Sequence, residues 1–300
     1  MASTKVIEAG EIKVYDKALL SFSGVDGFDV YNCSIPFKKD NKTYIYGRVE
    51  RRNEWARSHV RLFEETEKDK FTVVKDSMIY NYLEDPFIAF IGETLVLGGT
   101  QVEYDGGKLS TYKSCFYRGT DLNDLYLFAS APNRMKDVRL VELENGNIGV
   151  FTRPNGRVGF TIIKDLNELT AENMQNAPLI DAVEAGEYGG CNQCYYLRSG
   201  KIGIIGHQAY HKPAGVVHYV NMSYVMDIET RKIIDKKVIG TRSCYTDNDS
   251  DFKPNTNNLS DVAFTSGYVM RPDGKVDLYS GLKDMCEGRI TIDDPFADYR

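Results

Sequence analysis

Tryptophan, histidine and long apolar runs are all scarce in this sequence. Its 300 residues include one Trp and four His. Apolar runs such as 87–90 and 95–97 are far too short to span a bilayer, and the first residues lack the apolar segment of a secretory signal. The net charge of −6 offers none of the basic surface that nucleic-acid binding requires. We therefore expect a cytoplasmic protein with neither a membrane nor a nucleic acid as its partner.

The cysteines and histidines do not form a metal-binding pattern. In a cytoplasmic chain the six cysteines are expected to be reduced thiols. Cys191 and Cys194 form a C-x-x-C pair, but positions i and i+3 of a regular strand point to opposite faces. We therefore interpret both as small buried side chains rather than as a zinc or redox pair. The spacing of the histidines is not that of ligands either, so we predict no metal.

A repeated strand pattern is the strongest feature that is present. Five times, an Asn or Asp precedes a short apolar strand, and a turn then returns a second apolar strand. These five anchor residues are Asn32, Asp85, Asp137, Asn192 and Asp261. They lie 53, 52, 55 and 69 residues apart, and the longest gap includes a polar stretch, 246–258, that we interpret as an inserted loop. Strand units with a period of about 50 residues are typical of β-propellers.

The repeat therefore predicts an all-β chain with a single domain. We expect residues 1–300 to form one five-bladed β-propeller, closed by an N-terminal strand that pairs with the C-terminal blade. Turn sequences such as 144–147 and 272–275 agree with hairpins between the strands. Helical patterning is scarce, and its best candidate is 165–176, with Asp165 or Asn167 as the cap and a thin apolar face.

The same repeat position should lie at the same depth in each blade. We therefore expect the five anchors to form a polar ring at one end of the central channel, where a polar ligand could bind. Asn and Asp at strand starts can also satisfy backbone donors in turns, so this simpler interpretation stays open for each anchor. It does not explain Arg48, Arg153 and His207, which follow their anchors by 16, 16 and 15 residues. Basic groups that converge on a channel favour an anion as ligand.

Several segments resemble a known family of carbohydrate-active proteins. The segment Glu84-Asp85-Pro86-Phe87 is similar to the Glu-Asp-Pro-Arg signature of the β-mannoside phosphorylases of glycoside hydrolase family 130. A wider set resembles domain of unknown function 1861, which is linked to glycosyltransferase family 108. That set comprises Tyr-Asn-Cys-Ser-Ile-Pro-Phe, Tyr-Gly-Arg-Val-Glu, Glu-Asp-Pro-Phe-Ile, Lys-Asp-Val-Arg, Phe-Thr-Arg-Pro and Gly-His. The chain departs from the phosphorylases at Phe87, where they carry Arg.

This resemblance implies a role for each candidate residue. Asp85 is implied as the general acid of cleavage and the base of synthesis. The implied phosphate-binding residues are Arg139, Arg153 and His207. The implied substrate-binding residues are Asn32, Arg48, Asp137, Asn192 and Asp261. Two alternatives stay open: Arg139 could instead form an internal ion pair with Asp137, and His207 could be an ordinary core histidine. Glu84 is expected to point to the other face of its strand.

The resemblance also implies the activity. We expect an inverting β-1,2-mannoside phosphorylase or mannosyltransferase, which exchanges mannose between mannose-1-phosphate and a mannose or mannooligosaccharide acceptor. Inorganic phosphate would be the co-substrate, with no cofactor. The alternatives are a transferase with a nucleotide-linked donor, a β-mannoside hydrolase with Asp261 or Asp137 as its base, and a non-catalytic glycan-binding propeller. A homo-oligomer also stays open.

Overall fold

Strands dominate the computed structural model, which describes residues 10–52, 54, 57–180, 188–211, 216–247 and 259–300. Most of the predicted inserted loop, residues 248–258, lies outside the described residues. The first strands are β1 (Asp16–Leu19), β2 (Ser21–Ser23), β3 (Asp29–Tyr31), β4 (Phe37–Lys39), β5 (Lys42–Glu50), β6 (His59–Glu67), β7 (Lys70–Val73), β8 (Tyr80–Asn81), β9 (Leu83–Ile91), β10 (Thr94–Asp105), β11 (Lys108–Gly119) and β12 (Tyr126–Ser130). The remaining strands are β13 (Arg139–Glu142), β14 (Ile148–Thr152), β15 (Gly159–Ile163), β16 (Tyr188–Leu197), β17 (Lys201–His211), β18 (Val217–Asp227), β19 (Ile233–Gly240), β20 (Asp261–Met270), β21 (Lys275–Leu282) and β22 (Cys286–Asp293).

The strands form successive antiparallel units in chain order. β5 and β6 lie at the centre of the first unit, β9 to β12 form the second, and β13 to β15 form the third. The fourth unit is β16 to β19, and the fifth is β20 to β22 together with β1. The last two units share one sheet through a short parallel pairing, in which His218 lies opposite Asp261 and Tyr219 opposite Val262. The result is a mostly β, single-domain protein, as the repeat predicted.

Apolar side chains fill the spaces between neighbouring units. Each cluster combines residues from two units, and one pair from each illustrates this: Tyr46 with Leu97, Phe116 with Val150, Phe160 with Ile204, Ile205 with Leu278, and Phe63 with Tyr279. Burying a large apolar side chain contributes about 1.5–3 kcal/mol. The core therefore holds the units together face to face, and the last cluster joins the fifth unit back to the first.

The predicted helix at 165–176 is present only in part. A 3-10 turn covers Leu166–Glu168, and the helix α1 covers Ala171–Gln175. Asp165 caps the turn, as one of the two predicted caps, while Thr170 caps α1. Two separate caps divide the predicted segment, although Met174 of its apolar face is buried as expected. No helix in the described ranges is long and apolar enough to cross a membrane.

The predicted pairing between the two ends of the chain is confirmed. β1 pairs antiparallel with β22, so Asp16 lies opposite Thr291. Arg289 of β22 reinforces this junction from a buried position. Its guanidinium donates to both carboxylate oxygens of Asp69, at 2.7 and 2.8 Å, to Asp16 at 3.1 Å and to Asp277 at 3.3 Å. One cation thus connects β1, the turn before β7, and β21.

Substituting Arg289 should therefore destabilise the whole domain. In Arg289→Met the carboxylates keep their charge and lose their cation, which should cost about 3 kcal/mol of unfolding free energy. Urea unfolding followed by circular dichroism measures this loss. Arg52→Met is the matched control, because Arg52 forms a bidentate pair with Asp29 from a more exposed position and should cost less than about 1 kcal/mol. Equal losses in the two variants would contradict the proposed role of Arg289.

Candidate functional site

The backbone is irregular at four of the five anchor residues. Asn32, Asp85 and Asp137 adopt left-handed conformations, with φ of 45°, 49° and 59°. Asn192 lies in a bulge, because Cys191 and Gln193 pair with adjacent residues of β17. Asn and Asp tolerate positive φ better than other non-glycine residues. The anchor side chains are therefore redirected away from the regular alternation of a strand.

Arg48 lies at the centre of the first cluster of anchor residues. Its Nη1 donates to Asp85 Oδ1 at 3.1 Å, and its Nη2 donates to Glu50 Oε2 at 3.1 Å and to Glu84 Oε1 at 3.0 Å. Asn32 Nδ2 donates to Asp85 Oδ1 at 2.9 Å. The repeat thus brings together Asn32, Arg48 and Asp85, from the first two units, as predicted.

The position of Glu84 differs from the prediction. Glu84 was expected to point away from Asp85, but both carboxylates bind the guanidinium of Arg48. The alternation fails because Asp85 is left-handed and lies in an irregular pairing between β9 and β10. Burial raises the pKa of Glu84, the charge of Arg48 opposes this shift, and the charge of Asp85 adds to it.

Asp284 is a site residue that the repeat did not reveal. It lies in the turn between β21 and β22, again with a positive φ of 51°. Burial raises its pKa to about 6; the charge of Arg48 opposes the shift, and Asp85 and Glu50 reinforce it. The turn follows a second strand, whereas the predicted site residues lie at the start of a first strand or at the end of a second one. Its sequence therefore carried no signal of a site.

These groups line a cavity of about 240 Å³. Its lining residues are Asn32, Arg48, Glu84, Asp85, Val102, Tyr104, Leu109, Lys136, Tyr219, Leu259, Val262, Phe264 and Asp284. The volume is below the range of about 300–1,000 Å³ that is usual for drug-sized ligands, so the cavity suits a smaller polar molecule. Lys136 is a second residue that the repeat did not reveal, although it directly precedes the anchor Asp137. It supplies positive charge to a wall of the cavity.

Four of the remaining predicted residues, Asp137, Asn192, Arg153 and His207, form a second, buried cluster. Arg153 Nη1 donates to Asp137 Oδ2, and His207 Nδ1 lies 2.7 Å from Asn192 Oδ1. The absence of a side chain at Gly190 makes this arrangement possible. A Cβ there would lie 3.2 Å from Asp137 Oδ2, 3.2 Å from His207 Cε1 and 3.5 Å from Arg153 Nη1. Three residues from two units therefore converge on one glycine.

Neighbouring charges fix the ionisation of this second cluster. Burial by itself would raise the pKa of Asp137, but Arg153 and Lys136 outweigh it and hold that pKa well below its usual range. Burial lowers the pKa of His207 to about 3; Asp137 opposes the shift, and Arg153 and Lys136 add to it. Asp137 is therefore ionised near neutral pH, and His207 is neutral.

Arg139 takes a different position from the one expected of a phosphate ligand. Its guanidinium donates to the main-chain oxygens of Asn192, at 2.5 Å, and Val138, at 3.1 Å. It also lies over the ring of Phe87, 4.2 Å from the centroid. The alternative ion pair with Asp137 is made by Arg153 instead. These contacts favour a role for Arg139 in positioning Asn192, and its contact with phosphate stays a prediction.

Asp261 lies beside the cavity without being one of its lining residues. His218 Nδ1 is 2.5 Å from Asp261 Oδ2, and Arg242 Nε is 3.7 Å from Asp261 Oδ1. The next residue, Val262, does line the cavity. Asp261 therefore contacts His218 of β18 and Arg242 of the segment between β19 and β20, and its role in sugar binding stays a prediction.

Two aromatic rings connect the cavity with the second cluster. Tyr219 stacks on His207 with a centroid distance of 5.5 Å, and Phe264 lies 5.0 Å from the same ring. Both also line the cavity. The ring of the neutral His207 therefore packs against two side chains of the cavity wall.

The two cysteines of the C-x-x-C pair lie on the same face of β16, contrary to the prediction. Their thiols are within hydrogen-bonding distance, because the bulge at Asn192 adds one residue between them. Both are free thiols, and burial raises the pKa of Cys194. Within the described parts of the chain, no group of three or more His, Cys, Asp or Glu is arranged to hold a metal ion. The absence of a metal stays a prediction.

Solved structures with the same fold include proteins that act on mannose. A mannose phosphorylase from Leishmania mexicana, MPT-4, in complex with phosphate ion, is 47% identical with a TM-score of 0.90, over 96% of this chain and 91% of that chain. MPT-1, a GDP-Man-dependent mannosyltransferase from the same organism, is 42% identical with a TM-score of 0.89, over 95% and 91%. A β-1,2-mannobiose phosphorylase from Listeria innocua is 15% identical with a TM-score of 0.67, over 89% and 91%, and its likeness concerns the fold alone. No curated protein sequence gives a significant match.

The fold and the site together define a class. This is a mostly β, single-domain protein with a small polar cavity in which one arginine and several carboxylates meet. The chain belongs to the family described as protein of unknown function (DUF1861), whose sequence profile matches residues 7–298. The resemblance seen in the sequence motifs is therefore confirmed.

The raised pKa of Asp284 makes a testable contribution to stability. The folded protein holds this proton up to about pH 6, whereas an unfolded Asp loses it near pH 3.9. Stability should therefore fall as the pH rises between these values, because the folded state binds more protons. Asp284→Asn does not titrate, and Asn also tolerates the positive φ.

We expect Asp284→Asn to gain stability relative to the wild type as the pH is raised from 4 to 7, by roughly 1–3 kcal/mol. Urea unfolding at both pH values measures the difference. Asp40→Asn is the matched control for the substitution itself, since Asp40 has the same positive φ of 51° in an exposed turn. A constant difference between Asp284→Asn and the wild type would exclude a raised pKa.

Proposed function

We propose that this protein is an inverting β-1,2-mannoside phosphorylase, which reversibly transfers mannose between mannose-1-phosphate and a mannose or mannooligosaccharide acceptor. One observation carries the proposal. Asn32 and Arg48 both donate hydrogen bonds to Asp85 at the wall of a small cavity, and Lys136 also lines this cavity. The 47% identical mannose phosphorylase with its phosphate ion supports the same substrates.

For the fold we propose a five-bladed β-propeller with the five units as its blades. Contacts between units support this arrangement: β5 with β9, β9 with β13, β13 with β16, β16 with β20, and β22 with β3. That order returns to its starting point. The left-handed anchors of neighbouring blades would then face a central channel, which accounts for the direct contact between Asn32 and Asp85.

Asp85 is suited to transfer the proton of this reaction. In phosphorolysis an oxygen of phosphate attacks C1 of the mannosyl group, and the bond from C1 to the acceptor oxygen breaks. That acceptor oxygen takes a proton from Asp85, directly or through a sugar hydroxyl, and α-mannose-1-phosphate forms with inversion. Asn32 and Arg48 both donate to Oδ1, so Oδ2 is the oxygen that would carry the proton. In synthesis the same carboxylate accepts the proton from the acceptor hydroxyl.

The phosphate is proposed to bind at the side of the cavity where Lys136 lies. The carboxylate of Asp137 is surrounded by three cations, which are Lys136, Arg153 and Arg139. This side therefore carries a net positive charge. A neutral His207 can donate one hydrogen bond without adding charge. Phosphate itself is the nucleophile, so a second carboxylate that activates water is not required, in contrast to an inverting hydrolase.

The alternatives receive less support. The hydrolase would use Asp137 or Asp261 as its base, but Arg153 binds the first and His218 the second. A nucleotide-linked donor is favoured by one observation, the 42% identical GDP-Man-dependent mannosyltransferase, and GDP-mannose therefore belongs in every assay.

For the other properties we propose a cytoplasmic protein that uses inorganic phosphate as co-substrate and needs neither cofactor nor metal. Its homo-oligomeric state is left open.

Asp85→Asn tests the proposed acid and base. Wild-type protein incubated with mannose-1-phosphate and mannose should release phosphate and form β-1,2-mannobiose. Asp85→Asn should lose at least about a hundredfold of this rate, since general acid–base catalysis contributes about 10²–10⁴-fold. Asp40→Asn, an exposed Asp with a similar φ, should keep the full rate. Equal rates for Asp85→Asn and the wild type would falsify this assignment, and binding of mannobiose without any turnover would favour the glycan-binding alternative.

Lys136→Met and Arg153→Lys test the proposed anion site. Both variants should raise the KM for phosphate about tenfold or more, because each weakens a charge-assisted contact. Arg153→Lys keeps a cation beside the buried Asp137, so it limits the loss of stability that removing the charge would cause. The measurement is initial-rate phosphorolysis of β-1,2-mannobiose over a range of phosphate concentrations. An unchanged KM in both variants would place the phosphate elsewhere.

A further inference from the structure

The hairpin of β10 and β11 extends beyond the rest of its sheet. Each strand has 12 residues. The pairing of β10 with β9 ends at Gln101, and the pairing of β11 with β12 begins only at Cys115. The tip turns at Gly106 and Gly107, both with positive φ. The segment 103–111 therefore projects past its neighbouring strands, and Tyr104 and Leu109 within it line the cavity.

A bulge near the tip directs two side chains toward the cavity. Glu103 lies opposite Thr111, but Tyr104 lies opposite Leu109, so Ser110 is an extra residue of β11. Directly opposed residues project from the same face of a sheet, and bulges often redirect side chains next to active sites. Tyr104 and Leu109 both line the cavity, as does Val102, which is two residues before Tyr104 on the same face.

Val102, Tyr104 and Leu109 form a wall of the cavity that is polar at its inner end and apolar at its outer end. The pKa of Tyr104 is raised to about 12, first by burial and then by the charge of Glu84, while Arg48 opposes the shift. The phenol therefore lies near the cluster around Arg48. Leu109, at the outer end of the same wall, remains 46% exposed. The wall thus runs from the charged interior of the cavity to an apolar, half-exposed edge.

We propose that Val102, Tyr104 and Leu109 form the acceptor subsite, which holds the apolar face of the sugar ring next to the bond that is made or broken. The proposal rests on the proposed function. The donor mannose and phosphate need the charged interior, where Asp85 and Lys136 lie, so the acceptor must occupy the open side. A mannose ring has a face of C–H groups and an edge of hydroxyls, which match an apolar wall with a phenol at its inner end. An acceptor of variable length also needs a subsite at the mouth.

Kinetics of hairpin variants test this subsite. Tyr104→Ala and Leu109→Ala should each raise the KM for mannose and for β-1,2-mannobiose as acceptors about five- to tenfold, and leave the KM for mannose-1-phosphate within about twofold. Tyr104→Phe keeps the ring and should recover most of the acceptor affinity. Leu127→Ala is the control, because Leu127 is 54% exposed on β12 of the same sheet and does not line the cavity; all of its constants should stay unchanged.

Two other kinetic results would overturn the subsite. A rise in the KM for mannose-1-phosphate that matches the rise for the acceptor would assign the hairpin to the donor. Weaker binding of GDP-mannose by both alanine variants, with acceptor constants unchanged, would mean that the wall stacks on a nucleobase. If the wild type is inactive, the proposed function fails, but calorimetric titration with β-1,2-mannobiose still tests the subsite. Binding to the wild type and to Leu127→Ala, but not to Tyr104→Ala, would support the subsite. Equal binding to all three proteins would refute it.

Discussion

The buried guanidinium of Arg48 is the interaction on which this site depends. Its carboxylate partners come from two units, Glu50 from β5 itself and Glu84 and Asp85 from β9. Burial disfavours its charge, but the surrounding carboxylates keep the guanidinium protonated. Loss of one member of a buried ion pair typically costs 3–5 kcal/mol, because the partner is left uncompensated. The same cation therefore packs the first two units together and fixes the oxygen of Asp85 that accepts hydrogen bonds.

The regular part of the molecule could be predicted from the sequence. Alternating apolar residues and turn sequences located the central strands of every unit, and the spacing of the anchors showed that the units repeat. That spacing predicted that the anchors and the basic residues lie near one another, and Asn32 does contact Asp85, while Arg153 and His207 lie beside Asp137 and Asn192. These predictions succeed because a repeated strand order places equivalent residues at equivalent depths.

The irregular part could not be predicted, for a physical reason. Side chains alternate only in a regular strand, and the site is built from positions that break this rule. The left-handed conformation of Asp85 turns Glu84 toward Arg48, and the bulge at Asn192 places Cys191 and Cys194 on one face. Single irregularities of this kind depend on packing against a neighbouring unit, which local sequence does not encode. They also restrict the residue type at the proposed acid, since a Glu in the place of Asp85 would have to adopt a positive φ that disfavours it.

The pairing of β1 with β22 has a consequence for how the chain is made. Residues 16–19 find their partners only at residues 288–291, so β1 must wait until the ribosome has added about 270 further residues. Until then Asp16 and Asp69 also lack their arginine. Contacts so distant along the chain slow folding and expose unpaired strand edges meanwhile. Closure of the domain is therefore a late step of folding, and β1 stays unpaired on this side until it occurs.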